Sequence, residues 1–291
     1  MQINHPNTSP DFYTVSGGNI RNGKRDGRLL LTGEDGAADN YKFQLTSVIA
    51  SDDDVTLPRH HHAFDQVRYV LEGDWSIAGE KRLEPGWMGY FPESCYYGPQ
   101  WVRPNVKMLI LQFGGASGRG YYTIEERKKA FAGLQEGGKF QNGMYVYTGA
   151  DGAEHRQDSA EAIWEYTYGK FSYPPRRYDD LILMNPANYS WIEYPDQPGV
   201  WEKRLGTFTE REIKLGLIQL DADASLTFGR EPSVEILFIL RGALLLEDAK
   251  HPVHTAFGTR AGDAPVSLVA AEETECFYAK LPTWSRTRAR D

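Results

Sequence analysis

Thiol chemistry is nearly absent from this 291-residue chain. Its two cysteines, Cys95 and Cys276, are too few and too isolated for a disulfide framework or a thiolate zinc site. Any metal must therefore be held by His, carboxylate, amide or Tyr groups. Basic charge is also in deficit, with 32 Lys and Arg against 40 Asp and Glu and a net charge of -8. That balance excludes the electrostatic footprint of a general nucleic-acid binder. The one basic cluster that stands out, Arg286, Arg288 and Arg290, is expected to be a solvated tail. No run approaches the roughly 18 apolar residues of a membrane span, and the opening MQINHPNTSP has neither the charged nor the apolar part of a signal peptide. The expectation is a cytoplasmic protein whose partner is a small molecule, not nucleic acid or membrane.

What the chain does have is strand chemistry. Aromatics make up 13% of the residues and are accompanied by 29 Gly and 16 Pro, a mix that favours an all-β fold with many turns. Between Tyr41 and Phe113 short apolar runs (YKFQLTSVIA, VRYVLEG, DWSIAG, KMLILQF) are split by turn signals, the pattern of an antiparallel sandwich or barrel. Thr123 to Gln135 then reads as a helix, with a Thr N-cap, early Glu and later Lys residues. Residues 138 to 200 mix Tyr, Trp, Pro and Gly without a clear period. After Trp201 the first pattern returns: QVRYVLEG (66–73) overlies EILFILRG (235–242) at an offset of 169 that also sets Leu57 on Leu226 and Val48 on Leu217. A duplicated β-domain is the simplest account.

Three of the seven histidines stand together in LPRHHHAFDQVRYVLEG. In an extended strand, side chains alternate with period two, so His60 and His62 share one face and His61 takes the other. Gln66 and Arg68 fall on the face of His60 and His62 by the same parity, and Gly73 closes the strand at a turn. Two imidazoles on one face make half of a metal site.

The spacing His60-X-His62, three residues, Gln66, six residues, Gly73 resembles the first cupin motif, with Gln at the usual Glu position. Gly86, five residues, Pro92 and then Tyr97 resemble the second, with Tyr97 where the family usually has His. The resemblance implies a bicupin with two jelly-roll barrels: 1–118 with the metal site, 119–200 connecting with one helix and a few strands, and 201–291 a degenerate barrel. In that second barrel Gly229, Glu231 and Glu235 take the places of His60, His62 and Gln66, a poor transition-metal set. HHHAFDQVRYVLEG is also similar to the first motif of the gentisate- and salicylate-type ring-cleaving dioxygenases. Those bicupins lack the motif Glu as well and carry an Arg where this chain has Arg68. They use three His residues, and Tyr97 replaces the third here.

The site that follows is a divalent metal on His60 and His62, completed by Gln66, Tyr97 or water, with Fe(II) first and Mn, Ni or Zn as alternatives. Arg68 is placed to hold the carboxylate of a small hydroxy-carboxylate. Tyr97 stays open between ligand, proton donor or acceptor, and core aromatic, and Gln66 between ligand and partner of a metal-bound water. The function implied is a non-heme Fe(II)-type dioxygenase. A metal-dependent isomerase, lyase or decarboxylase, and a non-catalytic binding cupin, are the alternatives. Exposed sheet edges add the expectation of a homo-oligomer such as a dimer.

Overall fold

The two apolar runs with alternating polar residues, YKFQLTSVIA and KMLILQF, become neighbouring strands at the heart of one antiparallel sheet. We label its strands β1 (Lys24–Thr32), β2 (Tyr41–Ala50), β3 (Asp65–Glu72), β4 (Met88–Phe91), β5 (Lys107–Phe113) and β6 (Ile182–Met184), which lie side by side in the order β6-β4-β3-β5-β2-β1. The coordinates are a computed structural model and describe residues 1–21, 23–34, 36–50 and 55–284; Arg286, Arg288 and Arg290 fall outside them. Two short pairs, Val55–Leu57 with Gln100–Val102 and Trp75–Ala78 with Lys81–Leu83, complete the strands of this unit's barrel. Its apolar core is built from Val70, Trp75, Ile77, Leu83, Phe91 and Met108, among others.

Along β2 both faces are buried. Tyr41, Phe43 and Leu45 alternate with Lys42, Gln44 and Thr46, and none of the six is more than 5% exposed. The polar face is thus turned inward, the reverse of the usual half-solvated strand. Register aligns Lys42, Gln112 and Gln66 in one row across β2, β5 and β3, and Gln44, Ile110 and Arg68 in the next.

The first compact unit runs from Ser9 to Asn185, so residues 119–185 group with the first barrel, where the sequence suggested a connecting segment. The reason is a shared apolar cluster: Phe64, Tyr121 and Tyr122 pack with Ala130, Ile163 and Trp164. Ala130 belongs to helix α1 (Ile124–Gly137), opened by a capping box in which Thr123 and Glu126 satisfy each other's backbone N–H groups. Ile163 and Trp164 belong to a second helix, α2 (Ser159–Tyr168), which sequence reading left unassigned. Its Trp, Tyr and Thr residues mask the helical period. Its N-cap is Asp158, which accepts from the Ala160 and Glu161 N–H groups.

The second unit comprises Met1–Thr8 and Pro186–Asp291. Its larger sheet contains β7 (Val200–Phe208), β8 (Ile213–Leu220), β9 (Glu235–Arg241), β10 (Ala256–Gly258) and β11 (Thr274–Lys280), ordered β10-β9-β11-β8-β7 and flanked by Gln2–Asn4 and Ile192–Glu193. A four-stranded sheet accompanies it, around a core that includes Leu226, Phe228, Leu237, Phe257 and Cys276. The internal repeat is visible in the strands: β3 corresponds to β9 and β2 to β8. Gly73 and Gly242, at φ 72° and 82°, end β3 and β9 in the left-handed region that L side chains avoid. No helix among the described residues is long and apolar enough to cross a membrane.

At the start of β3 a buried acidic pair fixes the local chain. Asp65 accepts from Tyr90 Oη at 2.7 Å and from the Glu93 N–H at 2.7 Å, and Glu93 accepts from the Ser117 N–H at 2.8 Å. A Cβ on Gly115 would come within 2.6 Å of an oxygen of each acid, so only glycine allows this approach. Burial, reinforced by the Asp65 charge, pushes the Glu93 carboxyl up to about 7. Above the unfolded pKa of 4.5 the unfolded chain releases this proton while the folded chain keeps it until about 7, so stability falls across that window. Glu93→Gln should remove this slope. Urea denaturation measured at pH 5 and pH 8 should show the wild type losing about 2.5 kcal/mol more than the variant; equal losses would show that Glu93 ionises normally.

Candidate active site

The inward polar face of the first barrel encloses a cavity of about 90 Å³. His60, His62, Gln66 and Arg68 all line it, together with Lys42 from β2 and Arg25 from β1. Five of these are deeply buried: His60 is 3%, His62 8%, Gln66 1%, Arg68 6% and Lys42 4% exposed. The β-parity of the sequence therefore brings the expected face together. His61 points elsewhere, its ring stacked between Tyr96 at 4.0 Å and Tyr173 at 3.7 Å.

The two cavity imidazoles meet edge to face with ring centres 5.0 Å apart. His60 Nδ1–H donates to the Pro58 carbonyl at 2.7 Å, which leaves Nε2 with the lone pair. His62 stacks on Phe64 at 4.6 Å, and its Nδ1 is buried without a hydrogen-bond partner. Burial, aided by the Arg21 charge, lowers the His60 pKa to about 4. Burial and the His60 and Arg21 charges hold that of His62 well below the usual imidazole range. Both rings are neutral at pH 7, the state in which imidazole ligates metal.

Tyr97 lies one layer behind the wall. Its backbone pairs with His60 in an isolated antiparallel bridge, its ring centre is 4.4 Å from that of His60, and its hydroxyl accepts from Arg68 Nη2 at 3.3 Å and Gln66 Nε2 at 3.4 Å. Burial raises its pKa, against the Arg68 and Arg21 charges, so the phenol keeps its proton. The Gln66 amide oxygen is engaged in either orientation of the amide. It accepts from Gln112 Nε2 at 2.8 Å or, turned over, from Arg68 Nε and Nη2 at 3.1 and 3.2 Å. The Arg68 guanidinium is packed against Phe91 at 4.8 Å and Trp75 at 5.0 Å.

Positive charge dominates the wall. Arg21, Arg25, Lys42, Arg68 and Arg127 line the cavity, and among the described residues no Asp or Glu does. Arg127 is satisfied by the carbonyls of Ser16 and Gly18. Arg21 pairs with Asp158 at 2.7 Å, the two side chains being 12% and 10% exposed. Burial opposes the Asp158 charge, but Arg21 and His60 outweigh it and hold the pKa below the usual carboxylate range. For Lys42, burial and the Arg127 and Arg68 charges push the ammonium well toward its neutral form. Among the described residues no three His, Cys, Asp or Glu side chains converge as a metal group. The residues present therefore fit two corners of a metal site, with neutral nitrogen donors.

Sequence reasoning missed Arg25, Lys42, Gln44 and Gln112. The signal for the last three was available: in YKFQLTSV the polar residues alternate with Tyr41, Phe43 and Leu45, and Gln112 interrupts an apolar strand. Nothing in the sequence indicates which of two alternating faces turns inward.

No protein-family model and no curated protein sequence matches the chain. Solved structures do. A candidate dioxygenase from Nostoc punctiforme superposes with a TM-score of 0.60 at 12% identity, over 98% of this chain and 84% of the other. Streptomyces albus HEPD with 2-hydroxyethylphosphonate and Fe(II) bound gives 0.55 at 12% identity, over 97% and 76%. Bacillus subtilis oxalate decarboxylase, which has Mn(II) centres, gives 0.52 at 11% identity, over 98% and 78%. The chain has the cupin fold. Its two cupin barrels correspond to the two copies of the sequence repeat.

Within the first cupin barrel the Arg21–Asp158 pair joins the cavity wall to the start of α2. Asp158→Asn keeps a good N-cap but leaves Arg21 charged and unpaired, so it should destabilise the fold by about 3 kcal/mol. Adding Arg21→Met should recover part of that loss. Chemical denaturation of the two single variants and the double variant checks this, and additive effects would show that the pair is not coupled.

Proposed function

We propose that the first cupin barrel is a metal-dependent active site of the non-heme Fe(II) dioxygenase type, acting on a small hydroxy-carboxylate. The observation that carries this reading is one cavity lined by two neutral imidazoles and the guanidinium of Arg68, with no acid on the wall among the described residues. His60, through Nε2, and His62 would hold the ion, with Gln66 and Tyr97 close by. When bound, a divalent ion supplies Lewis acidity and, as Fe(II), one-electron chemistry with dioxygen. The likeness to HEPD holding Fe(II) and to the Mn(II) oxalate decarboxylase supports a divalent metal. So does the likeness to a pirin from Escherichia coli in complex with nickel(II).

The chain's own residues bind and orient. Arg68 Nη1, buried and without a hydrogen-bond partner, takes a substrate carboxylate by a charge-assisted hydrogen bond. Gln44, whose Oε1 is likewise unpartnered, accepts from a substrate hydroxyl. Phe64 and Tyr121, packed at 5.0 Å, close the apolar side and exclude water. Arg68, charged and without a carboxylate partner on this wall among the described residues, would be stabilised by a bound anion, as would an ion held by His60 and His62.

One observation favours a second, non-redox reading as an isomerase, lyase or decarboxylase. Tyr97 Oη is a protonated phenol beside His60 and Arg68, a group able to hand over and recover a proton.

Elemental analysis of untagged protein should find a divalent metal, lost by at least about tenfold in His60→Ala and His62→Ala but retained in His61→Ala. Arg68→Met should keep the metal and weaken binding of a hydroxy-carboxylate by about 1.5–3 kcal/mol, with Arg68→Lys between it and wild type. Oxygen uptake on adding substrate separates the dioxygenase from the non-redox reading. A metal-free protein whose His60→Ala and His62→Ala variants bind the acid unchanged would leave only a binding cupin.

A further inference from the structure

The cavity offers more N–H donors than the protein satisfies. Arg68 Nη1, Arg25 Nε and Nη2, and Trp75 Nε1 are buried with no hydrogen-bond partner, and all three side chains line the cavity. They are grouped: the Arg25 and Arg68 guanidinium carbons lie 5.9 and 5.0 Å from the Trp75 ring centre. A buried donor left unpaired carries its full desolvation cost, so four such nitrogens in one place mark a position for acceptor oxygens. Arg21 and Arg127 do not belong to this set, because Asp158, Gly143, Ser16 and Gly18 satisfy them.

A third cation approaches the same space from another wall. Lys42 is 4% exposed, with its amine 4.0 Å from the Phe12 ring centre and 5.3 Å from that of Tyr121. No hydrogen bond or ion pair from it is made within the described residues. Register places Lys42 in the row of Gln112 and Gln66, one row along from Arg68 and two strands across. That is about 7 Å along the strands and about 10 Å across them between Cα atoms, a separation that two inward-pointing long side chains bracket.

We propose that the cavity is a two-ended clamp for a small dicarboxylate, in which Arg25, Arg68 and Trp75 Nε1 take one carboxylate and Lys42 takes the other. The inference rests on the reading of this cavity as the ligand site, though not on the metal. Charge decides between one acid group and two. A monocarboxylate at the guanidinium end leaves the Lys42 ammonium with ring faces but no counter-charge, whereas a second carboxylate gives it an anionic partner and keeps it charged. Sequence parity alone had assigned one anchor, Arg68. The structure adds Arg25 beside it and Lys42 on another wall, so the hydroxy-carboxylate of the proposed function gains a second acid group.

The test is calorimetric titration of the full chain, stripped of metal with EDTA, at neutral pH and constant ionic strength. The probes are malonate, succinate and glutarate, with malonamate and succinamate as monoamide controls. At least one diacid should bind about tenfold or more tightly than its monoamide. Lys42→Met should bring the diacid down to the level of the monoamide and leave the monoamide where it was. Arg25→Met should weaken both by about tenfold. Equal binding of diacid and monoamide, no binding of any diacid, or a Lys42→Met variant that keeps the diacid preference would each overturn the clamp. Methylphosphonate, which carries both charges on one head, overturns the two-ended geometry if it binds as tightly as the best diacid. If a variant fails to fold, as judged by circular dichroism, the wild-type comparison of diacid with monoamide still decides. Because metal is absent throughout, a diacid preference stands even where the metal reading fails, and metal retention without that preference sinks the clamp alone.

Discussion

Cationic side chains enclosed without counter-charge are the constraint around which the first barrel is organised. A guanidinium or ammonium removed from water must be paired, hydrogen-bonded or laid against a polarisable ring. Each solution is present. Arg21 has Asp158, Arg127 has backbone carbonyls, and Arg68 has the faces of Phe91, Trp75 and Tyr97. What these devices leave over, at Arg25, Arg68 and Lys42, is the protein's capacity for an anion. The neutral state of the two histidines follows from the same field, since burial and positive neighbours both work against their protonation.

Much of this was legible before any coordinates. Period-two alternation puts His60, His62, Gln66 and Arg68 on one face, and these four side chains do share the cavity. The repeat at offset 169 gives two copies of the barrel, and the Thr123 and Glu126 signals give α1. What escaped has a common cause. Arg25, Lys42 and Gln112 reach the cavity only because β1, β2 and β5 lie in a particular order and register, and strand order is a long-range property that no local window contains. Helix α2 escaped for a different reason: it holds because Ile163 and Trp164 are buried against Phe64 and Tyr122, a tertiary gain that overrides the weak helical propensity of its Trp, Tyr and Thr residues.

The Gln66 position shows how much one atom decides. A carboxylate there would lie beside Arg68 on the same strand and pair with it. A neutral amide lends Arg68 an acceptor while leaving its charge uncancelled. The substitution that departs from the usual cupin motif is therefore the one that keeps the wall positive, and Gln112 and Gln44 extend the same neutral, hydrogen-bonding lining along the neighbouring strands.

The second barrel carries the same row of positions with opposite bookkeeping. Glu235 stands where Gln66 does and accepts from Tyr278 Oη at 2.8 Å and the Glu231 N–H at 3.1 Å, and Lys280, paired with Glu235 in register, donates to Glu212 and Thr283. These polar groups are matched to one another within the fold. The first half, under the proposed reading, would instead gain stability from a solute inside it. If the proposed anion site is occupied, a melting profile of this protein becomes partly a property of its buffer: carboxylate salts used to set pH would act on one barrel and pass the other by.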